Sequence, residues 1–351
     1  VRDLRLVPVA AVVWGVAIAA ILQPDLAGVF AAVSLALGAL TVAAAAIGVR
    51  RAGGHRGWMT AVSLTVVALA LAAAVCGQVA LAQPARAAAS ALGIDAGRAI
   101  EVHALVVGKV ERDATGTLRL DAVAMRIDRG RERHGVDVPV SIAVAPADVS
   151  GERLDVGSTV VASGTAFRAD AGERAVLVVR ASRGLRVEAP PRGLPALASD
   201  LRRRLVSSAE GLPQPGAGLV PGLAVGDTSA VEPELVAAMK VTSLTHLTAV
   251  SGANCALVVG IAFGAAALCG ARRGVRVAVG VAALALFVGI VTPEPSVVRA
   301  AIMAAVAMIG VLLGRIGAGV SLLCTAVVVA LLGDPTLALS LGFALSAGAT
   351  A

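Results

Sequence analysis

Leu26–Val49 reads LAGVFAAVSLALGALTVAAAAIGV, and no residue in it carries a charge. At about 1.5 Å per helical residue, such a run is long enough to cross the roughly 30 Å hydrocarbon layer of a bilayer. A soluble core has no need of it. Leu6–Leu22 forms an apolar run on its N-terminal side, separated from it only by Gln23-Pro24-Asp25, and Trp58–Leu81 forms another on its C-terminal side, ending at Gln83-Pro84. The short Gln23–Asp25 link, with no small-residue cleavage site ahead of a soluble sequel, argues for a helical hairpin rather than a cleaved signal peptide. Trp58 stands where an interfacial anchor belongs. Across 351 residues the chain is 58% hydrophobic with a mean hydropathy of +0.87, the composition of a multi-pass α-helical membrane protein. The net charge of +7 has a membrane explanation in basic loops between apolar runs, so nucleic-acid binding does not follow from it.

Residues 1–83 thus read as three N-terminal transmembrane helices. The loops alternate in charge: Arg2 and Arg5 before the first run, Asp25 after it, then Arg50, Arg51, His55 and Arg56. By the positive-inside rule the N-terminus is cytoplasmic and the third helix exits on the outer side, placing the polar middle of the chain outside the cytoplasm.

That middle, residues 97–188, changes period. Leu118, Leu120, Ala122 and Ala124 alternate with Arg119, Asp121 and Val123; Val136, Val138, Val140, Ile142 and Val144 alternate with Asp137, Pro139 and Ser141. Ala175, Leu177 and Val179 repeat the pattern, and with runs near 99–110 and 158–167 the spacing predicts five strands. Five strands of this length suit an inserted small β-barrel of the OB type or a short sandwich. From Gly97 to Val187 there are fourteen Arg and Lys against twelve Asp and Glu, and Phe167 is the one aromatic residue. Base stacking wants several aromatic faces, so a structural or docking role fits better than direct strand contact.

Residues 189–243 read as a connector. Leu197–Val206 within it has amphipathic helical spacing, and Arg202, Arg203 and Arg204 suit anionic lipid headgroups or, less simply, a phosphate backbone. Gly222–Asp227 reads as a tight apolar turn, and a helix is expected over Pro233–Lys240. Residues 244–351 form a second set of spans, about 244–268, 277–291, 296–313, 316–332 and 336 onward. Their loops are alternately basic and acidic (Arg272, Arg273 and Arg276; Glu294; Arg315; Asp334). Both halves give one topology if the segment at 244 enters from outside. Ala351 falls sixteen residues into the last span, too short to cross unaided, and the chain is expected to be part of a longer one.

The stretch Met239–Gly260, MKVTSLTHLTAVSGANCALVVG, carries polar side chains at every third position: Thr242, Thr245, Thr248, Ser251 and Asn254. On a straight α-helix this row spirals; a break near Ser251-Gly252 would gather more of it on one side. Polar groups within a membrane need partners or water, which makes His246, Thr248, Ser251, Gly252 and Asn254 candidates to line or gate a polar path. The plainer alternative is that Ser and Gly allow close helix packing while Asn254 bonds across helices. An intramembrane serine hydrolase would need Ser251 and His246 within hydrogen-bond reach, and their five-residue offset points them apart on a helix. Arg299, a turn into its span beside Pro293-Glu294-Pro295-Ser296, should pair or face water: either it pairs with Glu294, or it joins the residues that line or gate a polar path, where an arginine would suit an anionic polymer. Cys76, Cys255, Cys269 and Cys324 all lie in apolar runs as packing thiols, and neither they nor the four scattered histidines have metal-ligand spacing. No cofactor is expected.

Four segments taken together, GLAVGD at 222–227, TSLTHLTAVSGAN at 242–254, PSVVRAAIMA at 295–304 and DPTLALSLGFALS at 334–346, resemble successive motifs of the ComEC competence family, the inner-membrane channel for transforming DNA. The resemblance implies a non-enzymatic permease for single-stranded DNA in the cytoplasmic membrane. It implies a DNA receptor and a cytoplasmic ATP-driven motor as partners, since the chain carries no G-x-x-x-x-G-K-[ST] signature of its own, and it leaves self-association open. It marks Gly226, Asp227, Glu294, Pro295, Ser296, Asp334, Pro335 and Phe343 as motif positions that shape the site. The sequence departs from the family where Asn254 stands for a usual His and Ala344 for a common Gln, and in lacking cysteines in the β-region. The family's metallo-β-lactamase-like domain is not among these residues, so no nuclease activity is expected of them. A small-solute or lipid transporter is the alternative reading, without the internal repeat such a protein should show.

Overall fold

The computed structural model describes every residue except 1–3, 53–55, 93–98, 114, 171, 228–230, 243–251, 292–294, 315–318 and 351. The chain divides into two compact units, Val1–Pro84 with Ile302–Ala351, and Ala85–Ala301.

The first unit holds α1 (Val7–Leu22), α2 (Ala27–Ala52), most of α3 (Arg56–Ala91), the later part of α9 (Pro295–Leu312), α10 (Gly319–Gly333) and α11 (Leu341–Thr350). Its core gathers Val13 and Ala17 of α1, Val75 of α3, Val327 and Leu331 of α10 and Phe343 of α11. The Trp14 indole N–H donates to the Ala338 carbonyl at 3.0 Å, and its ring lies 5.0 Å from that of Phe343 at a 45° tilt. Gln78 Nε2 donates at 2.9 Å to the Leu332 carbonyl, one of the acceptors that the end of α10 leaves without a helical partner. Small residues bring backbones close: Ala20, Ala27 and Cys76 share a buried cluster. The outer surface is different. Leu35 is 61% exposed and Leu40 65%, a face suited to hydrocarbon rather than water.

The second unit opens with an eight-stranded sheet: β1 (Ala99–Val106), β2 (Glu111–Arg112), β3 (Leu118–Arg129), β4 (Glu132–Val144), β5 (Val149–Gly151), β6 (Thr159–Arg168), β7 (Leu177–Arg180) and β8 (Leu185–Ala189). β1 pairs with β3, β3 with β4, and β6 with both β7 and β1, all antiparallel, while β4 and β7 run parallel. Pairing therefore leads from β1 around five strands and back to β1. Val102, Leu120, Ile142, Leu177 and Leu185, on alternate positions of their strands, fill the interior. Gly164 has no room for a side chain, because a Cβ there would overlap the Arg180 carbonyl across β6 and β7. The five expected strands are all present, and β2, β5 and β8 are additions.

The expectation that the third helix ends at Gln83-Pro84 is corrected: α3 passes through Pro84 to Ala91. Proline there forfeits one backbone bond, yet Ala85 and Ala89 pack against the sheet core. Arg168 Nη2 donates to the Ser90 carbonyl at 2.8 Å, Arg129 Nη1 to that of Leu92, and Arg86 Nη2 to that of Glu173 at 3.0 Å. The first two bonds occupy carbonyls at the helix end, and the third ties Arg86 of the helix to the β6–β7 connection.

After β8 come α4 (Leu194–Ala209), α5 (Gly216–Val225), α6 (Pro233–Val241), α7 (Gly252–Leu268) and α8 (Arg273–Ile290). α7 packs on α8, and α4 on both α5 and α8. The turn expected over 222–227 is in fact the last turn of α5 and its cap. Of the four cysteines, Cys76, Cys255 and Cys324 are buried as expected, whereas Cys269 is exposed just past the end of α7.

Among the described residues three helices are long and apolar enough to cross a membrane, Pro24–Gly48, Gly57–Ala91 and Arg273–Ile290. The other apolar helices run 10–17 residues. This helical, apolar architecture is compatible with a membrane protein.

Candidate functional site

Three of the four sequence motifs meet at the N-terminal end of α7. α5 ends at Gly226, whose φ of 76° is the left-handed conformation that lets the Gly226 N–H turn back to the Gly222 carbonyl at 3.0 Å. The Leu223 carbonyl is left without a helical donor, and the side-chain amide of Asn254 supplies one at 2.8 Å. One motif residue thus caps another motif's helix.

Gly252, at the start of α7, faces α9. A Cβ at Gly252 would stand 3.2 Å from the Ala300 Cβ, tighter than ordinary van der Waals contact. A side chain at 252 would require α7 or α9 to shift by a few tenths of an ångström, so a small residue favours this approach. Arg299, the neighbour of Ala300, is partly buried, and its Nε has no hydrogen-bond partner among the described residues. An enclosed guanidinium N–H requires an acceptor.

The structure brings Gly252, Asn254 and Arg299 together around α5, α7 and α9, with Gly226 and Asp227 at the end of α5, and Pro295 and Ser296 in the first turn of α9. His246, Thr248, Ser251 and Glu294 lie outside the described residues. Asp334, Pro335 and Phe343 belong to the other unit. There Asp334 Oδ1 accepts from the Thr336 N–H at 3.0 Å and from its hydroxyl at 2.6 Å, capping the short turn Pro335–Leu339, and Phe343 is fully buried.

The arginine cluster of α4 splits. Arg202 is only 4% exposed; its Nη1 donates to the Ile290 carbonyl at 2.7 Å and its Nη2 to Asp155 Oδ1 at 2.9 Å. Ser199 donates to the other carboxylate oxygen of Asp155. The expectation that Arg202 contacts phosphate or headgroups is corrected: successive helical residues point about 100° apart, which turns Arg202 inward while Arg203 and Arg204 face out. Arg203 pairs with Asp200, and Arg204 is exposed. Asp155 was not legible as a site residue, because its partners on α4 lie 44 and 47 positions further along the chain.

A second polar cluster sits on the sheet. His103 Nε2 lies 2.5 Å from Arg126 Nη2, 3.4 Å from Asp128 and 3.7 Å from Glu101, while its Nδ1 is 3.7 Å from Glu188. Near β2, Asp113 accepts hydrogen bonds from the Thr115 hydroxyl and from the Thr115 and Thr117 backbone N–H groups. These bonds, the Thr115 hydroxyl foremost, hold its carboxyl below the usual carboxylate range.

Residues 223–351 match the family described as Competence protein. No curated protein and no solved structure matches the chain. The matched residues include the Asn254–Leu223 and Gly252–Ala300 contacts and Arg299, and they run on through Asp334 and Phe343. The match to the Competence protein family over residues 223–351 supports the resemblance to the ComEC family.

Proposed function

We propose that the chain is a membrane permease subunit that passes single-stranded DNA into the cytoplasm during natural transformation. The observation that carries this is the meeting of three competence motifs where Asn254 holds the Leu223 carbonyl, Gly252 abuts Ala300, and Arg299 keeps a partly buried cation beside that contact. In this reading Arg299 offers a guanidinium to successive phosphates, while His246, Thr248, Ser251 and Asn254 supply neutral polar groups that a moving strand can trade for water. Asp227, at the end of α5, shapes the rim. The closed circuit of pairings through β1, β3, β4, β7 and β6, with β4 and β7 parallel, supports an OB-type barrel. In this reading the barrel lies outside the cytoplasm, which the alternation of loop charges supports, and serves as a docking surface for a DNA receptor rather than as the strand's own groove. The chain performs no reaction, and a cytoplasmic ATP-driven motor supplies the driving force.

Photo-crosslinking a strand in transit tests the reading. A photoreactive residue at Val258, one helical turn beyond Asn254 on the same face of α7, is expected to capture radiolabelled DNA during uptake, and the same residue at Leu35, on the apolar face of α2, is not. Capture at Leu35 equal to that at 258, or at neither position, would reject a strand path beside α7.

A further inference from the structure

α4 shows three faces. Ala198, Ser199, Arg202 and Ala209 are buried. Leu194, Leu197 and Leu201, at i, i+3 and i+7, share a second face and are 81%, 54% and 39% exposed. The third face is charged and opens on a groove of about 490 Å³ lined by Arg153, Asp200, Arg203, Arg204, Ser207 and Glu210. Arg153 comes from the connection between β5 and β6 rather than from the helix, so the groove is built by two parts of the chain. The Arg202–Asp155 pair fixes them to each other, because Asp155 lies two residues from Arg153 and Arg202 immediately precedes Arg203.

The level of this groove is set by a separate contact. Arg202 Nη1 binds the carbonyl of Ile290, the last residue of α8, and α8 is one of the helices long and apolar enough to span a bilayer. α4 therefore sits at the end of a candidate span, where hydrocarbon gives way to headgroups. An exposed leucine stripe flanked by arginines at that level is the arrangement of a helix lying on a lipid surface.

We infer that the groove of Arg153, Arg203 and Arg204 is a binding site for the phosphate of an anionic phospholipid whose acyl chains lie along Leu194, Leu197 and Leu201. Three guanidinium groups face two carboxylates there, and Asp200 is already paired with Arg203, so the balance favours an anion. The leucines beside the groove select a lipid over a free phosphate or a nucleic-acid strand. This site goes beyond the strand-passage reading and does not rest on it.

The test uses the full chain in nanodiscs of phosphatidylcholine mixed with phosphatidylglycerol, followed by detergent extraction and native mass spectrometry of retained lipid. Wild type is expected to retain phosphatidylglycerol in preference to phosphatidylcholine. Each of R153Q, R203Q and R204Q is expected to lower that preference about fivefold. Replacing the three leucines by serine should lower retention as well, and glycerol phosphate should not compete. Should R153Q or R203Q fold poorly, R204Q alters one exposed side chain and decides the matter alone. Equal retention of both lipids, or an R204Q preference equal to wild type, overturns the site. Displacement of phosphatidylglycerol by a single-stranded oligonucleotide, with no effect of the leucine changes, overturns it in favour of a strand.

Discussion

Arg202 and Asp155, 47 residues apart in sequence, form an ion pair of 2.9 Å in which the guanidinium is 4% exposed and the carboxylate 18%. The same guanidinium donates to the Ile290 carbonyl, so one side chain ties the sheet, α4 and the end of α8 into one body. Removing either partner leaves the other buried and uncompensated. Arg202→Met and Asp155→Asn should each destabilise the protein by about 3 kcal/mol. The double variant should lose less than the sum of the two. Thermal unfolding of the full chain in detergent measures all three, and strictly additive losses would show that the pair is not coupled.

Asn254 serves as a donor to the Leu223 carbonyl. Asn254→His keeps an N–H donor at that place and should retain most DNA uptake. Asn254→Asp sets a carboxylate against a carbonyl and should abolish uptake while costing about 1–3 kcal/mol of stability. Uptake by the Asp variant at the level of the His variant would remove this bond from the site.

Gly252 is set by a neighbour. Gly252→Val should push α7 from α9 at a cost of about 1–3 kcal/mol. Ala300→Gly in the same chain should restore part of that loss, because it removes the Cβ at 3.2 Å. Absence of any rescue in a thermal melt would mean that the contact is not what requires a glycine.

Asp113 gives a pH dependence whose sign follows from its depressed pKa. A carboxyl held below its ordinary value stabilises the fold above that ordinary value, about 4, and the contribution disappears as pH falls through the depressed one. Thr115→Val removes the hydroxyl that contributes most and should move the Asp113 titration up toward pH 4. Selective ¹³C labelling with an NMR titration of the full chain reads this directly; an unmoved titration would assign the depression to the backbone N–H groups instead.

The strands that alternation made legible are the long ones, because β3 and β4 carry enough inward residues to display a period of two. β2 and β5, at two and three residues, are too short to show any period. α5 was hidden by Gly218, Pro221 and Gly222, residues of poor helix propensity that tertiary contacts hold in a helix; three of its buried positions are these same residues. The continuation of α3 past Pro84 depends on arginines from distant strands, which local sequence does not display. At the site, the every-third-residue polar row drew attention to Asn254 but not to its acceptor, the Leu223 carbonyl 31 residues earlier, and nothing local told Arg202 apart from Arg203. That distinction needed Asp155, a residue on the far side of β6, β7 and β8.

The partly buried cation beside α7 is what the proposed passage depends on most. Uptake of radiolabelled DNA into a nuclease-protected form, measured in cells whose chain carries Arg299→Ala and whose membrane insertion is verified, examines it most directly. Uptake should fall to background for Arg299→Ala and recover in part for Arg299→Lys, which restores the charge without the planar guanidinium. Normal uptake by the alanine variant would contradict a strand path at this site.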